Sequence, residues 1–294
     1  MTQIHHPIAA AFWMLGSILG FSMIAVSGRE IGADLDTFEM MFYRSLIGIV
    51  VVVTVVFATG RQGEIKADHL GLHALRNAVH FAGQALWLYA LALIPLAQLF
   101  ALEFSYPIIV ALTAPIFLAE RLTPTKLLAA VVGFAGILIV ARPFGAGGLS
   151  VGLLSALLCA LGFAGSAIVT KRLTRVATIL CILFWLAVMQ SAFGLILAGW
   201  DGKITLPGSA TLPWVIVMGL SGLLAHFCLT KALSLAPASV VTPMDFLRLP
   251  LIGLVGMTLY AEPLDLWVFV GGAVIFAANW INVRSESRYC NITT

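Results

Sequence analysis

Long apolar runs separated by short polar connections dominate this sequence. A helix that spans a bilayer needs about 20 apolar residues, and ten runs approach or exceed that length. They are Ile8–Ser27, Thr37–Thr59, Gly71–Leu93, Leu96–Leu118, Thr125–Ala141, Leu149–Lys171, Ala177–Gly199, Leu212–Leu235, Ala238–Tyr260 and Leu264–Val283. Some connections contain only two residues, as in Ile94-Pro95 and Ala236-Pro237, so the helices that they join must be antiparallel neighbours. The pattern predicts an all-α integral membrane protein with ten transmembrane helices.

The second half of the chain repeats features of the first half at an offset of 142 residues. Apolar matches are common by chance in so narrow an alphabet, so prolines and acids are the stronger sign of a repeat. At this offset the matching pairs include Pro95 with Pro237, Glu103 with Asp245, and Glu120 with Glu262. We therefore predict two five-helix repeats, 1–142 and 143–284, followed by a cytoplasmic tail, 285–294. Because five is odd, the second repeat must enter the membrane from the opposite side, as the inverted repeats of many secondary transporters do.

Composition excludes several other classes of protein. Apolar residues make up 61% of the 294 residues and charged residues only 10%, whereas a soluble chain carries about 25% charged residues. The net charge of +3 and the lack of a basic, aromatic-rich surface give no reason to expect nucleic-acid binding. The four cysteines lack metal-ligand spacing, and no nucleophile, phosphate-loop or dinucleotide motif is present. We expect no enzyme activity, no catalytic residue, no metal and no cofactor.

The distribution of Lys and Arg predicts the orientation in the membrane. Positive residues accumulate in cytoplasmic connections. Eleven of them, with Arg76 and Lys171 included, fall on the side of the N-terminus, and four, with Arg44 included, fall on the other side. This count predicts that both termini are cytoplasmic.

Two carboxylates lie in the middle of predicted spans, at matching positions of the two repeats. Charged groups inside a bilayer are costly and usually functional, so Glu103 and Asp245 are candidates for binding an ammonium group or a proton. Alternatively, each carboxylate is paired with another group and has only a structural role. Arg248 lies three residues after Asp245, so it could neutralise that carboxylate or hold a substrate carboxylate in a bidentate pair.

Polar residues of the third and eighth spans form a second set of candidates. His80 and Gln84 lie four residues apart and share a helix face, and Gln84 matches His226 at the repeat offset. These side chains could carry a proton or bind a substrate, or they could simply be satisfied core residues. Aromatic residues in the spans are candidates for the walls of a cavity, although most aromatic side chains in membrane proteins face lipid or other helices. Those that we select are Trp13, Tyr106 and Phe163.

Three segments resemble a known family. They are ALALIPLAQLFALEFSYPIIVALTAPIFLAERLTP (90–124), ALSLAPASVVTPMDFLRLPLIGLVGMTLYAEPL (232–264) and FYRSLIG (42–48). They are similar to the ten-helix branch of the drug/metabolite transporter superfamily, which is built from EamA-type repeats. The resemblance implies a ten-helix carrier of the inner membrane with both termini cytoplasmic. It also implies a central cavity lined by helices one, three, four, six, eight and nine, which supports the candidates above helix by helix. Members of this family export amino acids and varied metabolites or drugs.

The sequence thus predicts a secondary transporter that works by alternating access and moves small amphipathic metabolites through the lipid bilayer. An amino acid, aromatic or neutral, is the expected exported substrate, because acids, arginine, histidines and aromatics suit a zwitterion. Protons are a candidate coupling ion. A carrier for nucleotide-like or cationic drug-like solutes is the alternative within transport. A membrane enzyme that modifies lipids is the alternative from another class, although it would need catalytic groups near an interface.

Overall fold

The computed structural model of the chain describes residues 6–118, 124–141, 150–200, 202–263 and 265–292. Within these ranges the helices and short 3-10 segments account for all regular structure. The α-helices are α1 (Pro7–Ile31), α2 (Thr37–Ala58), α3 (Leu70–Leu93), α4 (Leu96–Glu103), α5 (Tyr106–Leu118), α6 (Pro124–Ala141), α7 (Val151–Leu173), α8 (Ile179–Ala198), α9 (Leu212–Leu235), α10 (Ala238–Val241), α11 (Arg248–Tyr260) and α12 (Leu266–Ile292). The 3-10 helices are Gln62–Glu64 and Thr242–Leu247.

Two of the predicted spans are broken in the middle. The fourth span consists of α4 and α5, which are separated at Phe104 and Ser105 just before Pro107. The ninth span runs through α10, the 3-10 helix Thr242–Leu247 and α11. Proline has no backbone N–H to donate and its ring disturbs the preceding turn, so helices break or bend around it. Both breaks fall next to the mid-span acids, which is where transporters commonly bind their substrates.

The length and apolarity of the helices identify a multi-pass membrane protein. Within the described ranges, six helical segments are long and apolar enough to cross a bilayer: Ile8–Ile31, Thr37–Ala58, Leu96–Leu118, Val151–Leu173, Ile179–Ala198 and Leu212–Leu235. Three shorter apolar helices are Leu127–Val140, Leu251–Tyr260 and Leu266–Ala278. Large apolar side chains such as Phe12 and Ile116 are exposed, as a lipid-facing surface requires. That the chain crosses the membrane ten times stays a prediction.

Each half of the chain packs mainly against the other half. Helix α1 packs on α9, α3 on α7, α2 on α8, and α6 on α12. The shift of 142 residues exchanges the first two of these pairs. The contacts match in detail, because a Cβ on Gly20 would lie 2.8 Å from the Ser221 carbonyl oxygen, and one on Gly162 would lie 2.8 Å from that of Val79. The two halves therefore share one set of backbone contacts.

The first helices of the two halves run in opposite directions. At the end of α1, Arg29 donates to the carbonyl of Ile94 at the end of α3, so α1 and α3 are parallel. At the start of α7, Gly152 lies against Leu93 and Ile94, so α7 runs antiparallel to α3. Helix α7 consequently runs antiparallel to α1.

Three of the basic residues in the orientation count are buried within helices. They are Arg76 in α3, Lys171 in α7 and Arg44 in α2. Without them the count is nine against three. The bias keeps its sign, and the orientation of the termini remains a prediction.

Candidate functional site

Three charged side chains meet where the two broken spans approach each other. The Nη2 atom of Arg248 donates to Glu103 Oε1 at 2.7 Å and to Asp245 Oδ2 at 2.8 Å. All three residues are buried, and Arg248 is one of the largest fully buried side chains among those described. The structural pairing that we weighed for Asp245 and Arg248 is thus present, and Glu103 joins it. The two matching acids of the repeats share one arginine.

Aromatic groups surround this charged cluster. The guanidinium of Arg248 lies over the ring of Phe100 at 4.6 Å and over that of Phe21 at 5.1 Å. Trp87 Nε1 donates to Glu103 Oε2 at 2.7 Å, and the Tyr106 hydroxyl lies 3.3 Å from Asp245 Oδ2. Burying charges costs several kcal/mol per ion unless hydrogen bonds and close pairing offset the lost hydration. These contacts provide that compensation.

A pair of histidines lies further along the same cavity. The rings of His80 and His226 meet edge to face, with centroids 4.7 Å apart. Phe163 packs against His80 at 5.8 Å, and Phe21 packs against His226 at 5.4 Å. The Nε2 atoms of both histidines and Oε1 of Gln84 have no hydrogen-bond partner among the residues that the structure describes. The cavity therefore offers unsatisfied polar atoms between aromatic faces.

Arginine and hydroxyl groups continue the cavity beyond the histidines. Arg76 contacts the hydroxyl of Thr170 at 3.2 Å, the side-chain oxygen of Asn77 at 3.0 Å and Nδ1 of His226 at 3.5 Å. Arg76, His80 and Gln84 follow one another at intervals of four residues. They form one stripe along α3, since residues four apart lie on the same helix face.

Comparison with known proteins gives this architecture a family. The EamA-like transporter family matches residues 8–142 and again residues 150–284. The chain belongs to the EamA-like transporter family. The resemblance seen in the sequence is thereby confirmed, and the protein is a membrane transporter for a small metabolite rather than an enzyme.

Several relatives of this EamA-like protein carry substrate names. A riboflavin transporter of Brucella anthropi is 32% identical over 84% of this chain and 87% of its own length. A riboflavin transporter of Vibrio cholerae is 28% identical over 97% and 98%. An S-adenosylmethionine uptake transporter of Rickettsia felis is 27% identical over 94% and 92%. One solved crystal structure has the same fold, with a TM-score of 0.73 at 19% identity over 95% of this chain and 98% of that chain.

The EamA-like cavity contains eight of the nine residues that the sequence analysis selected. They are His80, Gln84, Glu103, Tyr106, Phe163, His226, Asp245 and Arg248. Trp13 does not line this cavity. Its ring packs edge to face on Phe227 at 5.5 Å, because its position on α1 directs it towards α9. That these residues bind a substrate stays a prediction.

Other lining residues were not among those selected. They are Phe21, Ile24, Arg76, Trp87, Ser166, Ala167, Thr170 and Leu229. Arg76 could have been found from its position one turn before His80 on the stripe with Gln84. It was instead assigned to a connection, because a charged residue near a predicted helix end usually indicates an interface.

Helices α1 and α7 each carry, near their C-terminal end, a basic residue that donates to a backbone carbonyl. At the end of α1, Arg29 forms an ion pair with Glu262 at 2.8 Å and donates to Ile94 O at 2.8 Å. At the end of α7, Lys171 donates to Leu233 O at 2.7 Å and to Ala236 O at 2.8 Å. Arg29 with Ile94 and Lys171 with Ala236 are related by the repeat offset.

The repeat also predicted a match between Glu262 and an acid in the first half. The acid is Glu120, which lies outside the described residues. Glu262 itself accepts from the backbone N–H of Leu96 at 2.9 Å in addition to pairing with Arg29. It thereby ties the end of α11 to the hairpin that joins α3 to α4.

Proposed function

We propose that this protein takes up a flat heterocyclic metabolite across the bacterial inner membrane, with riboflavin as the first candidate. The observation that carries the proposal is the cavity between the broken spans, where aromatic faces alternate with unsatisfied polar atoms. Phe21 and Phe163 could stack on a fused ring system. His80, Gln84 and His226 could bond its ring nitrogens and carbonyl groups. The riboflavin transporters among the relatives support the same substrate.

The transport cycle that we propose is alternating access between two inverted halves of five spans each. The antiparallel course of α1 and α7 and the exchange of helix pairs at the repeat offset support this arrangement. Rocking of one half against the other around a fixed site is a common mechanism in inverted-repeat transporters. We also propose that both termini are cytoplasmic, in agreement with the bias of nine against three basic residues.

S-adenosylmethionine is the second candidate. Its sulfonium carries a positive charge, and Glu103 and Asp245 together carry one more negative charge than Arg248 neutralises. Oδ1 of Asp245 has no hydrogen-bond partner in the described part of the chain, so it is available to a cationic ligand. The relatives named as S-adenosylmethionine uptake transporters cover nearly the whole chain.

Counterflow in proteoliposomes tests these candidates. Vesicles that contain the purified protein are loaded with unlabelled riboflavin, S-adenosylmethionine or phenylalanine, and entry of the labelled form of the same compound is followed. We expect accelerated exchange of riboflavin. Exchange of S-adenosylmethionine alone would select the second candidate, and exchange of phenylalanine alone would return the amino acid expected from the sequence. If folded protein exchanges none of them, the proposed substrates are wrong.

A pH gradient and one variant extend the same assay. Exchange that follows an imposed pH gradient would assign a role to protons, and exchange that ignores the gradient would indicate facilitated movement.

Glu103→Gln should lower the exchange rate without changing membrane insertion, because the neutral amide cannot form an ion pair with Arg248. Normal exchange by this variant would remove Glu103 from the transport mechanism.

A further inference from the structure

Two arginines beside the cavity carry charges that no carboxylate offsets. Arg44 on α2 and Arg76 on α3 are only 5% and 2% exposed. Among the residues that the structure describes, neither lies within 4.0 Å of an Asp or Glu oxygen. An unpaired buried charge costs several kcal/mol even after relaxation. Two such charges side by side are therefore expected only where another group neutralises them.

Hydrogen bonds do not supply this neutralisation. The three polar contacts of Arg76 are made with the neutral side chains of Thr170, Asn77 and His226. Nη1 of Arg44 is buried and has no partner within the described ranges. Both arginines flank His226, because Arg76 contacts its ring and Arg44 shares with it the lining of a small recess between α2, α8 and α9.

The contact with Arg76 also bears on which nitrogen of His226 is the donor. Arg76 can only donate, so its contact of 3.5 Å with Nδ1 of His226 favours the neutral tautomer that carries its hydrogen on Nε2. That Nε2 atom has no acceptor among the described residues. The region around His226 thus presents two unsatisfied donors, Arg44 Nη1 and His226 Nε2, together with two full positive charges.

Resting on the function proposed above, we propose that Arg44, Arg76 and His226 form a substrate subsite for a planar, electron-rich acceptor edge. A guanidinium matches two adjacent acceptor atoms in one plane. In riboflavin that edge is the dione ring, with its carbonyl oxygens and neighbouring ring nitrogen. In S-adenosylmethionine it is the carboxylate. Along α3, Arg76 lies on the far side of His80 from Trp87, whose indole bonds Glu103. Arg76 and the acids therefore lie towards different ends of the cavity.

Binding by purified protein tests the subsite. Riboflavin affinity is measured by quenching of flavin fluorescence for the wild type, Arg44→Gln and Arg76→Gln. Each substitution should weaken binding by about tenfold or more, since it removes a charge-assisted hydrogen bond to the ligand. The affinity of Arg76→Lys should lie between those of the wild type and Arg76→Gln, because lysine keeps the charge but lacks the planar guanidinium. The matched control is Arg61→Gln, at an exposed arginine paired with Glu64, and it should bind as the wild type does.

Two analogues identify the part of the ligand that the arginines hold. Lumiflavin keeps the dione edge and lacks the ribityl chain, so the Arg44 and Arg76 variants should lose as much affinity for lumiflavin as for riboflavin. If the variants bind lumiflavin as tightly as the wild type does, the arginines hold the ribityl chain and the proposed edge is wrong. With S-adenosylmethionine as the ligand, its decarboxylated form should be insensitive to the same substitutions.

Thermal unfolding of the empty protein separates failure of the subsite from failure of the proposed substrates. An unpaired buried arginine does not stabilise the empty state, so Arg44→Gln and Arg76→Gln should unfold at the wild-type temperature or higher. A midpoint several degrees lower for both variants would mean that the arginines are structural, and the subsite would be wrong. If the wild type binds neither riboflavin nor S-adenosylmethionine while the variants keep or raise the midpoint, the subsite stands and the substrate is another metabolite.

Discussion

The two halves of the chain share a backbone frame and differ in the side chains that they place in the cavity. The contacts of Gly20 with Ser221 and of Gly162 with Val79 match at the repeat offset. The pairings of Arg29 with Ile94 and of Lys171 with Ala236 match in the same way. The repeats therefore share their helix packing contacts and the basic side chains that bond backbone carbonyls near the helix ends.

Inside the cavity the same offset pairs unlike residues. Tyr106 matches Arg248, Trp87 matches Leu229, and Arg76 matches Met218. Two matching pairs of lining residues are alike, the acids Glu103 and Asp245 and the aromatic residues Phe21 and Phe163. A rocking mechanism requires equivalent packing at the two ends, whereas an asymmetric solute requires different groups around it. The difference suggests that the frame serves the movement and that the unmatched residues serve recognition.

The largest effect is expected at the unmatched arginine of the second half. Arg248→Met leaves Glu103 and Asp245 buried without a cation, so the variant should lose about 3–5 kcal/mol of folding free energy and all transport. Fluorescence-detected size-exclusion chromatography after heating measures the loss. Adding Glu103→Gln and Asp245→Asn should recover most of the stability and none of the transport. Wild-type stability of Arg248→Met alone would show that the acids do not need this partner.

Substitution of two equivalent glycines, Gly20 and Gly162, should disturb the helix packing that the two halves share. A Cβ on Gly162 would lie 2.6 Å from Gly83 Cα, and one on Gly20 would lie 2.8 Å from Ala225 Cβ. Such overpacking typically costs about 1–3 kcal/mol, so Gly162→Ala and Gly20→Ala should lower the midpoint of thermal unfolding by similar amounts. Gly165→Ala is the matched control, since its Cβ would be 3.6 Å from the Val79 side chain. Unequal losses for Gly20 and Gly162 would argue against an equivalent frame.

Sequence alone predicted the helices and half of the residues that line the cavity, for physical reasons that differ between the two. Apolar length is sufficient to locate a spanning helix, and the prolines beside the mid-span acids explain the two breaks that the structure shows. His80, Gln84 and His226 were found because a polar residue in mid-span is conspicuous. Arg76 was missed because its place near the start of α3 resembles an interface position. Trp13 was selected without its direction, which only the packing of α1 on α9 determines.

The substrate was the least predictable property. Acid, arginine, histidine and aromatic residues suit a zwitterionic amino acid, and they equally suit a fused heterocycle. The relatives named for riboflavin and S-adenosylmethionine do not support the amino acid. Residue types specify which chemical groups can be bound. Their arrangement around one cavity specifies the shape of the solute, and that arrangement is not readable from the order of residues along the chain.

An effect on transport rather than on folding is expected at Trp87, which the second half replaces with Leu229. Trp87→Phe keeps the ring packing against Phe100 but removes the hydrogen bond to Glu103. A hydrogen bond to a charged group contributes about 1.5–3 kcal/mol, so transport efficiency should fall about tenfold. The matched control is Trp13→Phe, at a residue outside the cavity, and it should transport normally. Equal losses for the two variants would mean that the assay reports general packing rather than the cavity.

The smallest effect is expected at the ion pair of Arg29, near the end of α1, and Glu262, just after α11. Their side chains are 22% and 13% exposed, so solvent screens part of the attraction and the pair should contribute about 1 kcal/mol or less. Arg29→Gln and Glu262→Gln should each change the folding midpoint only slightly. The two changes together should cost less than their sum, because each single change removes the same interaction.

Lys171→Gln provides the comparison at the equivalent position, near the end of α7. Lys171 is only 3% exposed and its ammonium bonds two carbonyls, so its loss should cost more than the loss of Arg29. Purely additive losses for Arg29 and Glu262 would mean that their ion pair does not help to hold this end closed.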